Sequence, residues 1–78
     1  MGLDTVEFIM AVEHTFDIDI PNADAERLRS PGDVVTYLAT RVSLDRETIE
    51  ASVRRLVKEE LGVKEFMWTD SFTKLGAD

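Results

Sequence analysis

The sequence predicts an all-α fold, a small bundle of four helices, and three observations carry that expectation. Apolar residues recur at helical spacing over two long stretches, Leu3–Phe16 and Ile49–Leu61. Helix punctuation brackets the chain between and after them, with Ser30-Pro31-Gly32-Asp33 as a start signal and Gly62 as a stop. The one alternating segment, Asp17-Ile18-Asp19-Ile20, is too short and too isolated to be half of a sheet. With 78 residues the chain is one domain, 1–78.

Each element has a local reason. In the first helix Leu3, Val6, Ile9, Met10, Val12 and Phe16 form the core side, while Asp4 and Glu7 suit the positive end of the helix dipole. Pro21 stops it and opens a loop, after which Asn22 can cap a short helix over Ala23 to Leu28. Ser30 is the next cap, with Pro31 in the first helical position and Asp33 three residues after the cap. That helix carries Val34, Val35, Leu38 and Val42 inward, with Tyr37 at the edge.

Ser43 to Asp45 is a short break, and Asp45 or Ser43 caps a helix running to about Leu61. Ile49, Val53, Leu56, Val57 and Leu61 share its inner face, and Glu50/Arg54 and Arg55/Glu59 are spaced as ion pairs. Gly62 suits a left-handed terminator. Val63 to Asp78 has no period, yet Val63, Phe66, Met67, Trp68, Phe72 and Leu75 make it too apolar for a free tail. It reads as a loop draped over the bundle, with Phe66 and Trp68 packed on the core and Met10 and Met67 as core filler.

Composition excludes several function classes. There is no cysteine, hence no disulfide and no thiolate metal site. The single histidine, His14, rules out a His-pair metal site and reads as a surface residue rather than a catalytic base. Asp17, Asp19 and Asp24 lack the glycine and terminal Glu of a calcium loop, so no metal is expected. Sixteen acids against nine bases give a formal charge of −7, which repels a phosphate backbone and argues against nucleic acid. No apolar run approaches the roughly 18 residues of a membrane span, and no signal-peptide pattern shows. The expectation is a cytoplasmic protein without membrane insertion.

The charge is unevenly placed. Residues 1–26 hold seven acids and no Lys or Arg, and all nine bases lie from Arg27 onward. Such a stretch is either a solvated face or a surface for electrostatic docking onto basic partners. Charge alone leaves both open.

Leu3-Asp4-Thr5-Val6-Glu7-Phe8-Ile9-Met10-Ala11-Val12-Glu13 resembles the second helix of acyl carrier proteins. Phe16-Asp17-Ile18-Asp19-Ile20-Pro21 is similar to the stretch after it, Asp24-Ala25-Glu26-Arg27-Leu28 to the short third helix, and Pro31 to Leu38 to the last. The remainder matches out of order. Thr48-Ile49-Glu50 through Leu61-Gly62-Val63 is similar to the family's first helix. Thr69-Asp70-Ser71-Phe72 and Leu75-Gly76-Ala77-Asp78 are similar to the loop that leads from that helix to the modified serine. The resemblance thus implies a permuted four-helix carrier bundle. Residues 1–42 match family helices two to four, and 46–78 match helix one and its loop.

In the family a serine at the start of the second helix carries 4′-phosphopantetheine. Here Gly2 stands in that place, and glycine has no oxygen for a phosphodiester. Ser71 mimics the attachment triplet but falls in the upstream loop, Ser30 is a cap, and Ser43 and Ser52 have no supporting context. No cofactor is expected on this chain, and no catalytic residue: neither a triad nor a metal set can be assembled. The resemblance implies a non-catalytic protein of fatty-acid or polyketide type synthesis. Asp4, Glu7, Glu13, Asp17 and Asp19 would dock basic-surfaced synthases or acyl-transfer enzymes. Two alternatives stay open: a portion of a true carrier whose modified serine lies outside these residues, or a domain-exchanged tandem carrier; the chain itself is expected to be a monomer or a domain-exchanged dimer.

Overall fold

Four helices form in the computed structural model, which describes residues 3–76 and the side chains of residues 5–76. In chain order they are α1 (Leu3–Phe16), α2 (Asn22–Ala25), α3 (Pro31–Ala39) and α4 (Arg46–Leu56), and α4 runs on into a π-helical turn, Val57–Leu61. No strand occurs among the described residues, so the fold is all-α.

The core is assembled where α1, α3 and α4 meet. Phe8 and Val12 of α1, Val34, Val35 and Leu38 of α3, and Ile49, Val53 and Val57 of the C-terminal helix are all fully buried or nearly so. The C-terminal helix packs on α3 along α4 and on α1 through its π-helical turn. No buried side-chain polar atom among the described residues lacks a partner.

Three helix starts differ in part from the expected chemistry. Ser30 behaves as expected, its Oγ accepting the Asp33 N–H at 3.2 Å. Asp33 does not reach back to the Ser30 N–H, however; its carboxylate accepts the Arg29 N–H at 3.0 Å instead. Asn22 is not a side-chain cap. The Pro21 carbonyl accepts the N–H groups of both Asp24 and Ala25 at 2.9 Å, so the helix starts one residue earlier than expected. It also ends earlier, at Ala25, because Arg27 and Leu28 tighten onto carbonyls three residues back.

The C-terminal helix carries the expected buried face, with Leu61 half-buried at its end. Asp45 holds the cap position, but its carboxylate accepts the Thr48 hydroxyl rather than a backbone N–H. The Arg55–Glu59 pair forms at 4.0 Å, whereas Glu50 pairs with Arg46 at 3.3 Å and not with Arg54. Arg54 instead lies over the rings of Trp68, at 4.9 Å, and Phe66, at 5.3 Å. Gly62 terminates the helix with φ +71°, and its N–H returns to the Lys58 carbonyl.

The segment after Gly62 drapes over the bundle as its apolar content requires. Phe72 is buried and meets the Phe8 ring at 5.2 Å between centroids. Two backbone bonds tie the loop to the start of α3: Gly32 N–H to Trp68 O at 2.9 Å and Phe72 N–H to Arg29 O at 2.8 Å. Gly32 is required there, because a Cβ would stand 2.7 Å from the Trp68 oxygen. Phe66 and Trp68 are half-buried against the core, as expected. The two methionines are corrections: Met10 is 60% and Met67 67% exposed, so neither fills the core. Phe8, absent from the expected core side of α1, fills it instead.

Candidate functional site

The outer side of α1 is built by elimination. Burying Phe8, Ile9 and Val12 turns Glu7, Met10 and His14, at helical spacing from one another, out to solvent. After Phe16 the chain turns through Asp17, whose left-handed φ of 53° is tolerated by a short polar side chain. The Ile18 N–H then closes onto the Glu13 carbonyl at 3.1 Å. In the extended stretch that follows, Ile18 and Ile20 turn toward the core while Asp17 and Asp19 stay exposed. The alternation in the sequence therefore aims two carboxylates outward beside the end of α1.

The acids of this region have different duties. Glu7, Asp17 and Asp19 are exposed carboxylates. Glu13 is half-buried, and its Oε2 accepts the Ile20 N–H at 2.8 Å, clasping the loop to α1. Asp24, not among the expected docking residues, accepts the Tyr37 hydroxyl at 2.9 Å and pairs with Arg41 at 3.3 Å. Arg41 in turn lies 4.7 Å over the Tyr37 ring. Burial, then the hydrogen bond to Asp24, pushes the Tyr37 phenol above its ordinary value. Gly2 and the Asp4 side chain lie outside the described residues.

The carboxylates Glu7, Asp17 and Asp19 lie on an open surface. Among the described residues no three His, Asp or Glu side chains converge as metal ligands. Ser71 is exposed, but its Oγ accepts the Lys74 N–H at 3.0 Å and opens a turn of the loop. Met10 adds an exposed apolar side chain to the outer side of α1, which the periodicity of α1 did not single out because it placed Met10 inside. No described helix is long and apolar enough to cross a membrane.

Fold and surface together define a small all-α bundle with an acidic outer face. Comparison with known proteins places it more closely. The chain is 54% identical over 40 residues to an acyl carrier protein of Chlamydia felis, a match covering 51% of each chain. It is 56% identical over 37 residues to an acyl carrier protein of Akkermansia muciniphila, covering 47% of this chain and 46% of that one. The chain is thus similar to acyl carrier proteins over about half of its own length, and it spans about half the length of the curated relatives it matches. No family model matches it. No solved structure matches it either.

Proposed function

We propose that this chain is a non-catalytic, acyl-carrier-like docking module whose acidic face engages basic surfaces of synthase or acyl-transfer enzymes. The observation that carries the reading is the exposure of Glu7, Met10, Asp17 and Asp19 on a segment, residues 1–26, that lacks any Lys or Arg. Asp4, three residues before Glu7 in the sequence, completes the proposed docking set. Glu13 acts by holding the loop that presents Asp19. An acidic field of this kind raises encounter rates with a basic partner more than it raises affinity.

The order of elements is part of the proposal. Residues 1–42 stand for family helices two to four, and 46–78 for helix one and its loop. Support comes from the C-terminal helix, which packs on both α1 and α3, and from Phe72, which brings the following loop back onto Phe8 of α1. The residues present do not fit a prosthetic group: glycine occupies the position of the family serine, and the Ser71 hydroxyl caps a turn. The module therefore works by recognition, without 4′-phosphopantetheine of its own.

Two measurements test this. Incubation with a phosphopantetheinyl transferase and coenzyme A is expected to leave the intact mass unchanged; a phosphopantetheine on Ser71 would overturn the unmodified state. Glu7→Lys with Asp19→Lys is expected to slow association with a basic acyl-carrier partner enzyme and leave the helical circular dichroism spectrum intact. Glu47→Lys with Glu60→Lys makes the same charge change on the C-terminal helix and should slow it much less. Equal slowing from both pairs would sink the dedicated face.

A further inference from the structure

The molecule carries a second charged surface of opposite sign. Ala51, Arg54, Arg55 and Lys58 fall at positions i, i+3, i+4 and i+7 of the C-terminal helix, a single stripe. Lys64 joins them from the strap beyond the left-handed Gly62, and the five residues line a groove of about 500 Å³. Four of the chain's nine basic residues therefore share one groove in a protein of net charge −7. Elsewhere Arg41, Arg46 and Lys74 are each paired with a carboxylate at 3.1–3.3 Å. In the groove only Arg55 has such a neighbour, Glu59 at 4.0 Å; among the described residues no carboxylate lies that close to Arg54, Lys58 or Lys64.

We infer that this groove binds a small anion bearing two or more phosphate groups. Three features point there. The Arg54 guanidinium lies over the Trp68 and Phe66 rings, at 4.9 and 5.3 Å from their centroids, and this cation–π contact restrains the side chain and lowers the ordering cost of a bidentate contact to a phosphate. Ala51 contributes only a methyl group to the lining, so the space between the cationic arms stays open. The distance dependence of screening selects a small ligand over a whole acidic protein. Within a Debye length of about 8 Å at physiological salt an anion in the groove meets four cations, one of them, Arg55, partly offset by Glu59 at 4.0 Å. A large acidic partner would also face the remaining negative surface of this chain.

Trp68 is the only tryptophan, and it touches the groove through Arg54, so it reports occupancy directly. Titration of the intact chain with pyrophosphate at low ionic strength is expected to change Trp68 fluorescence saturably, with sodium chloride and sodium acetate at matched ionic strength doing neither. Lys58→Gln with Lys64→Gln, both exposed, should raise the midpoint about tenfold, the effect of about 1.4 kcal/mol. Lys74→Gln, outside the groove, should leave it unchanged. The inference falls if no saturable change occurs, if the double variant titrates like the parent, or if chloride reproduces the response. It also falls if an oligo-glutamate peptide binds more tightly than pyrophosphate, which would make the groove a protein interface. None of these outcomes depends on the acidic face of α1.

Discussion

Glu13 shows how a charged residue can serve a surface by being withheld from it. Its carboxylate is spent on the Ile20 N–H, and without that acceptor the partly buried donor would lose a charge-assisted bond. Glu13→Ala is expected to cost about 1–2 kcal/mol in urea denaturation, whereas Glu7→Ala, at an exposed position with no such bond, should fall within about 0.5 kcal/mol of the parent. Leu56 lies at the other extreme, an apolar side chain 4% exposed beneath the C-terminal helix. Leu56→Ala should destabilise by about 2–5 kcal/mol. At roughly 0.05–0.15 kcal/mol per residue the whole domain holds only about 4–12. A thermal melt followed at 222 nm would read the loss directly; an unshifted midpoint would place that helix outside the core.

At the scale of elements, the loop after Gly62 depends on a few anchors. Gly32→Ala forces a methyl against the Trp68 carbonyl, so the loop must move or the start of α3 must open. Overpacking of this kind costs about 1–3 kcal/mol, more than the helix propensity that Ala gains, at most about 1 kcal/mol. The expected result is a lowered melting midpoint together with a shifted Trp68 emission. A second anchor is the turn at Asp70, whose carboxylate accepts the Met67 N–H at 3.0 Å and meets Lys74 at 3.1 Å. The Met67 N–H first, and Lys74 second, hold the Asp70 carboxyl below its ordinary value. Its contribution is therefore present above the ordinary aspartate pKa, about 3.9, and is lost as pH falls through the lower folded-state value. Trp68 fluorescence should show an acid step below that value, and Asp70→Asn should remove it.

Across the whole molecule the charges divide. Residues 1–42 hold eight acids against three bases and residues 43–78 eight against six, so the acidic field is strongest where α1 and its loop lie. The Cα radius of gyration is 11.1 Å, close to the roughly 11.5 Å expected of a 78-residue domain. Docking by a field from this side should weaken steeply with salt, since the Debye length falls from about 10 Å at 0.1 M to about 3 Å at 1 M. Association rates with a basic partner, measured by stopped flow across that range, should fall much more than dissociation rates rise. A salt-independent on-rate would remove the steering role.

Much of the architecture was legible from residues a few positions apart. Ser30, Pro31 and Gly62 mark helix ends through hydrogen bonds and backbone angles that close within one turn, and such signals need no distant partner. The buried face of the C-terminal helix was equally plain, because its polar residues leave only one apolar stripe. The first helix is different. Val6, Phe8, Ile9, Met10 and Val12 surround much of its circumference, so its sequence permits more than one inward direction. Packing against Phe72 and the other helices chose Phe8 and left Met10 outside. Arg54 likewise had Glu50 at good helical spacing, yet the aromatic rings of a loop without any period captured it. The basic groove follows from that capture and from the return of Lys64 beyond Gly62. Local chemistry determined where the helices begin and end, whereas the direction each face points was decided by contacts between residues far apart in the chain, which only the folded structure brings together.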